Sequence, residues 1–83
     1  MSSLEAEAVR TREDLAVFIR GLRADLARNA EEWENPDLDR YLDALAAVIE
    51  DLEGRLLNRG EIVPSEPSWR LIAELLDAAT VYE

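Results

Sequence analysis

The amino-acid sequence contains no cysteine and no histidine. Disulfide bonds are therefore excluded, and so are the catalytic mechanisms and zinc sites that depend on a thiolate or an imidazole. The sequence also lacks any apolar stretch near the ~20 residues that a membrane-spanning helix needs, and its first residues are not those of a signal peptide. We therefore expect a cytoplasmic protein, not bound to a membrane, that is stabilised by packing alone or with the help of a partner.

Positive charge is scarce and unevenly distributed. Nineteen acidic residues stand against nine arginines, with no lysine, which gives a net charge of −10 over 83 residues. Residues 30–54 hold nine of the acids and only Arg40, a net charge of −8, whereas residues 1–29 are neutral. A nucleic-acid-binding surface needs clustered positive charge to neutralise phosphates, so we expect no nucleic-acid partner. The composition favours a basic protein partner instead.

The length fits one helical domain over residues 1–83. The first predicted helix spans residues 11–30, where apolar side chains recur at the spacing of one helix face. These side chains are Leu15, Phe18, Ile19, Leu22 and Leu26. Thr11 followed by Asp14 resembles a capping box, and Ser2 followed by Glu5 offers an alternative start. We favour a break near Thr11, which leaves residues 1–10 as a candidate separate or frayed segment.

A second helix is predicted over residues 36–58. Asn35 can cap its free N–H groups, and Pro36 loses no hydrogen bond at the first helical position. Its apolar stripe consists of Leu38, Tyr41, Leu42, Leu45, Ile49, Leu52 and Leu56. Because this stripe continues past Gly54, we expect the helix to do the same, at a cost of about 1 kcal/mol relative to alanine.

The third predicted helix, residues 67–82, follows a loop rich in proline and is capped by Ser65 or Ser68. It is apolar around most of its circumference, so it must be buried on more than one side. Either it is the central element or one of its stripes is a dimer seam. The candidate seam consists of Leu71, Leu75, Ala78 and Tyr82. The predicted fold class is all-α, a three-helix antiparallel bundle, with dimerisation through the C-terminal helix left open.

Acidic residues along the second helix are the main candidate for a binding site. When projected on one helix they fall within about 80° of one another, beside the apolar stripe. This acidic ridge consists of Asp39, Asp43, Glu50 and Glu53. It is either an ordinary solvated helix face or a docking surface for a cationic partner. Trp33 and Glu34 complete the candidate set, and Trp33 either packs on the core or, if exposed, anchors a partner.

No catalytic, cofactor-binding or metal-binding residues are predicted. Two carboxylates could meet in a cleft, but a chain of this size leaves little room for a substrate pocket. The acids between Glu31 and Asp39 could ligate calcium, but they lack the spacing of an EF-hand loop and Pro36 interrupts them. We therefore expect neither an enzyme nor a metal or cofactor site.

Several short motifs resemble those of a known family. They are Trp33-Glu34-Asn35-Pro36, Leu38, Tyr41-Leu42, Pro67-Ser68-Trp69 and Ala78-Ala79-Thr80-Val81-Tyr82-Glu83. Over about residues 11–83 the sequence is similar to a family of small acidic bacterial proteins catalogued only as a domain of unknown function. The resemblance implies no activity, cofactor or catalytic residue. It implies that these motifs are present for a shared reason, which fold architecture alone would satisfy.

Three functions are compatible with the sequence. The leading hypothesis is an interaction protein that binds a basic partner, such as an immunity protein or antitoxin that blocks a cationic toxin. The second is a nucleic-acid mimic that binds a DNA-binding protein. The third is a structural homo-oligomeric helical module. The charge of residues 30–54 favours the first hypothesis.

Overall fold

The computed structural model describes residues 5–82, and all regular secondary structure in this range is helical, with no strand. The four helices are α1 (Arg12–Asn29), α2 (Leu38–Glu50), α3 (Leu52–Asn58) and α4 (Trp69–Ala79). Two short 3-10 turns, Ala6–Ala8 and Ala30–Glu32, precede and follow α1. None of the helices in the described range is both long and apolar enough to cross a membrane. The predicted all-α class is confirmed for this part of the chain.

Helix α1 begins where the capping pattern predicts. The Thr11 hydroxyl accepts a hydrogen bond from the Asp14 backbone N–H at 3.0 Å. The Asp14 carboxylate accepts one from the Arg10 backbone N–H, also at 3.0 Å. Each side chain satisfies one backbone donor near the helix start, as in a capping box shifted by one residue. Ser2, the first residue of the alternative start, lies outside the described residues.

Helix α2 begins later than predicted, at Leu38. Its N-cap is Asp37, whose carboxylate accepts a hydrogen bond from the Arg40 backbone N–H at 2.8 Å. The prediction that Asn35 caps this helix is wrong, because the Asn35 side chain is buried against the end of α4 instead. Asp37 suits the N-cap position for a second reason, because a negatively charged side chain interacts favourably with the positive end of the helix dipole.

The predicted second helix is divided at Asp51 into α2 and α3. The Asp51 backbone has φ −87° and ψ 1°, outside the helical range. In one uninterrupted helix, Glu50 and Glu53 would repel each other at i, i+3 spacing, and Asp51 and Gly54 are poor helix formers. With the break, Asp51 and Glu53 lie at the start of α3, where negative charge is stabilising. Gly54 lies inside α3, and this helix ends at Asn58.

Helix α4 is the central element of the fold. Its N-cap is Ser68, whose hydroxyl accepts a hydrogen bond from the Leu71 backbone N–H at 3.0 Å. The helix packs against α1, α2 and the Ala6–Ala8 turn. These contacts cover α4 on more than one side within a single chain, as its broad apolar surface requires.

The main core cluster joins α4 to α1 and to the N-terminal segment. Its buried members are Ala6, Val9, Phe18 and Ala73, with Leu15, Leu22 and Leu76 packed against them. Val9 and Ala73 are completely buried. Residues 5–10, part of the segment that the sequence left as separate or frayed, therefore contribute two side chains to this core. Residues 1–4 lie outside the described range.

Helix α2 buries a different face from its predicted apolar stripe. Ala44 and Val48 are buried, whereas Leu38, Leu42 and Ile49 are 72, 54 and 51 % exposed. The buried residues of α4, Ala73 and Ala79, are small as well. Small side chains allow two helices to approach closely, because the separation of packed helices depends on the side chains between them. We call the displaced row, Leu38, Leu42, Leu45 and Ile49, the apolar strip.

Candidate docking surface

All four members of the acidic ridge are exposed. Asp39, Asp43 and Glu50 lie on α2, and Glu53 lies on α3 beyond the break. None of the four takes part in a salt bridge with another residue in the range 5–82. The ridge therefore presents carboxylates that no cation of the described chain neutralises.

Glu34, another candidate residue, lies in a local ion-pair network. The Arg40 guanidinium is 3.8 Å from the Glu34 carboxylate and 3.9 Å from the Asp37 carboxylate. It also donates a hydrogen bond to the Glu34 carbonyl oxygen. Arg40 thus offsets part of the negative charge immediately before α2, and the strongest uncompensated charge lies further along that helix.

Trp33 is half-buried and connects α1 to α2. Its Nε1 donates a hydrogen bond to the Asp25 carboxylate at 2.7 Å, and its ring centroid lies 6.1 Å from that of Tyr41. The hydrogen bond from Trp33, followed by one from Asn29, lowers the pKa of the Asp25 carboxyl. Trp33 therefore fixes the connection between two helices, while part of its ring remains accessible.

Asn35 connects the segment before α2 to the end of α4. Its buried side-chain amide donates to the carbonyl oxygens of Ala79 at 3.0 Å and Tyr82 at 2.7 Å. Its backbone N–H donates to the Thr80 carbonyl oxygen at 3.1 Å. The last carbonyl groups of a helix have no partner within the helix, so these donors stabilise the end of α4.

Two hydroxyl groups complete this arrangement, and we call Asn35, Tyr41 and Thr80 the C-terminal clasp. The Tyr41 hydroxyl donates to the Leu76 carbonyl oxygen at 2.8 Å, and the Thr80 hydroxyl donates to that of Asp77 at 2.8 Å. Burial, and secondarily the Asp77 carboxylate, raises the pKa of Tyr41, so its hydroxyl remains protonated and able to donate. The buried polar side chains of this region therefore all have hydrogen-bond partners within the fold, and no ligand is needed to explain them.

Two open apolar grooves adjoin the apolar strip. The first has a volume of about 300 Å³, and its lining includes Ile19, Leu26, Trp33, Leu38 and Tyr41. The second has a volume of about 380 Å³, and its lining includes Leu45, Ile49, Val63, Leu71 and Leu75. Leu76 of α4 lines both grooves. These grooves were not predicted from the sequence. A signal was present, because α2 carries more large apolar residues than a single helix contact can cover, which indicates that some of them stay exposed.

The four residues of the predicted dimer seam are divided between two concave regions. Leu71 and Leu75 line the second groove. Ala78 and Tyr82 line a more polar cavity that also includes Glu7. All four side chains are half-buried within the single chain.

The chain matches a known protein family. A family of unknown function, DUF7660, matches residues 11–83. The chain belongs to this family. No curated protein and no solved structure shows a significant match to the chain. The resemblance predicted from the sequence is confirmed, and DUF7660 brings no assigned activity to the candidate site.

Several residues of the short motifs that suggested a family resemblance make contacts between elements. Asn35, Tyr41 and Thr80 form the C-terminal clasp, and Trp33 joins α1 to α2. Ser68 caps α4. Fold architecture is therefore a sufficient reason for these residues.

Replacing Asp77 with asparagine is expected to stabilise the fold. Partial burial, with smaller contributions from the carboxylates of Glu7 and Asp25, raises the pKa of Asp77 above its ordinary value of 3.8. A raised pKa means that the ionised form disfavours the folded state, so the favourable contribution is present below pH 3.8 and lost as the pH rises. Asp77 also lies in the last turn of α4, where negative charge is unfavourable.

The matched control is Asp39→Asn, the same change in the first turn of α2, where negative charge is favourable. Urea denaturation at pH 7 should show a gain of up to about 1 kcal/mol for Asp77→Asn and a small loss for Asp39→Asn. The gain for Asp77→Asn should shrink at pH 3, where the Asp77 carboxyl of the wild type is protonated. Shifts of the same sign at pH 7 would contradict this account of the two carboxylates.

Proposed function

We propose that this chain is a non-enzymatic protein-protein interaction module that binds a basic protein partner through the acidic ridge, as an immunity protein or antitoxin does. The supporting observation is that the four ridge carboxylates are exposed and form no salt bridge within residues 5–82. Exposed charges contribute little to folding stability, so these carboxylates are available to the cations of a partner. The net charge of −8 over residues 30–54 would also accelerate association with a basic protein.

The double charge reversal Asp39→Lys with Asp43→Lys should leave the fold intact and weaken partner binding. The matched control is Glu5→Lys with Glu66→Lys, which changes the net charge equally at exposed positions outside the ridge. Basic proteins from the native host should be retained by the wild type and by the control, and lost from the ridge variant. Raising the salt concentration should weaken wild-type binding, because steering by exposed charges is screened.

Two results would contradict the proposal. Equal retention by the ridge variant and the control would mean that only net charge matters. A collapse of the melting temperature of the ridge variant, with affinity unchanged, would mean that the ridge is structural.

A homodimer is the second candidate, favoured by the second groove. Leu71 and Leu75 of the predicted seam lie in that groove beside Leu45 and Ile49. A two-fold axis would bring the same patch of each copy together. We also propose that the helices within each chain are arranged antiparallel to one another, because the connections between them are short.

A further inference from the structure

The apolar strip lies between the buried face of α2 and the acidic ridge. Its four residues follow i, i+4, i+7, i+11 spacing and so form one continuous row along the helix. Ala44 and Val48, which are buried, lie about 100° around the helix on one side of this row. The ridge residues of α2, such as Asp43, lie about 100° around on the other side. The strip is therefore an apolar row that is exposed at Leu38, Leu42 and Ile49, half-buried at Leu45, and bordered on one side by carboxylates.

The two grooves extend this apolar surface beyond α2. Leu38 belongs to the first groove, Leu45 and Ile49 belong to the second, and Leu42 lies between them in the row. Leu76 lines both grooves, so they meet over the same turn of α4. Together they offer apolar recesses spaced along one side of the molecule, which is the form of a groove that receives a helix.

The charge at the border of the strip decides what covers it. A second copy of this chain would bring its own segment of net charge −8 against the same segment, and like charges across an interface oppose association. Anionic lipid surfaces and nucleic acids are repelled for the same reason. The apolar strip and the acidic ridge beside it are both complemented by a partner surface that has an apolar centre and a cationic border.

We propose that the apolar strip and its two grooves receive an amphipathic helix from the basic partner. Apolar side chains of that helix, three and four residues apart, fill the grooves on either side of Leu42. Arginine or lysine side chains along the helix border face Asp39, Asp43 and Glu50. This inference rests on the proposed function, because it names the part of the basic partner that binds.

The test uses three synthetic peptides of about 18 residues, or five helical turns, without aromatic residues. The first carries leucines on one helix face and arginines along both borders. The second has the same composition in scrambled order, and the third keeps the leucines but replaces every arginine with glutamate. Binding is followed by the fluorescence of Trp33, which lines the first groove, in a Trp69→Phe background that removes the other tryptophan.

The first peptide should bind about tenfold or more tightly than the scrambled peptide, since only the first can bury a row of leucines. The third peptide should not bind. Leu42→Gln should weaken binding of the first peptide by about tenfold. The matched control is Leu57→Gln, because Leu57 has a similar exposure but lies on α3, outside the apolar strip, and it should have no effect.

The remaining outcomes separate this inference from the proposed function. Equal binding of the first and scrambled peptides would overturn the helix-in-groove inference and leave a basic partner standing. Equal binding of the first and third peptides would contradict the basic partner itself, and the inference with it. Absence of binding by all three, or equal effects of Leu42→Gln and Leu57→Gln, would overturn the inference alone.

Discussion

Replacing Asn35 with aspartate is expected to lower the free energy of unfolding by about 3–5 kcal/mol. The substitution removes the amide that donates to the carbonyl oxygens of Ala79 and Tyr82. It also places a carboxylate oxygen against both carbonyls at a buried position, where an unpaired charge is strongly destabilising. For a domain of this size the melting temperature should fall by about 15 °C or more.

The matched control is Asn58→Asp, at an exposed position at the end of α3, where the same change should cost less than about 1 kcal/mol. Thermal and urea denaturation followed by circular dichroism measure both variants. The deficit of Asn35→Asp should also shrink at low pH, since a protonated carboxyl can donate one hydrogen bond to a carbonyl. Similar losses for the two variants at pH 7 would mean that Asn35 does not hold the end of α4.

Replacing Val9 with aspartate is expected to lower the free energy of unfolding by about 3 kcal/mol or more. Val9 has no exposed surface and belongs to the core cluster with Phe18 and Ala73. A carboxylate there would be buried among apolar side chains. Because the DUF7660 match begins at residue 11, this substitution tests whether the segment before the match is part of the folded domain.

The matched control for Val9 is Val17→Asp, because Val17 is 54 % exposed on α1. Valine and aspartate have similar helix propensities, so this change should alter the free energy of unfolding by less than about 1 kcal/mol. Urea denaturation curves give both values. Equal, small effects at the two positions would mean that residues 5–10 do not pack as described.

The elements that the sequence predicted correctly depend on local interactions. The start of α1 follows from Thr11 and Asp14, three residues apart, and the start of α4 follows from Ser68. The hydrogen bond from Asn35 to Ala79 joins residues 44 positions apart, and the Asn35-Pro36 pair equally suits a helix cap, so its true partner could not be inferred locally. The break at Asp51 was missed because the apolar periodicity continues across it while the neighbouring charges oppose a continuous helix.

The candidate site was predictable only in its charge. The positions of the ridge carboxylates follow from the spacing of Asp39, Asp43 and Glu50 along a helix. The grooves could not be predicted in the same way. The apolar residues of α2 cover enough of its circumference that either of two faces could pack against the rest of the protein. Which face packs on α4 depends on the small side chains of both helices, such as Ala44 and Ala73, and on their docking in three dimensions.

A photo-reactive amino acid incorporated at position 42, in the middle of the apolar strip, tests the docking surface most directly. Cross-linking is carried out in the native host, and position 17, which is similarly exposed but lies on α1 outside the apolar strip, serves as the control. We predict that position 42 cross-links to one segment of another protein, with apolar residues three and four apart and arginine or lysine along its border. Cross-links from position 42 only to a second copy of this chain, or no more than from position 17, would contradict the account.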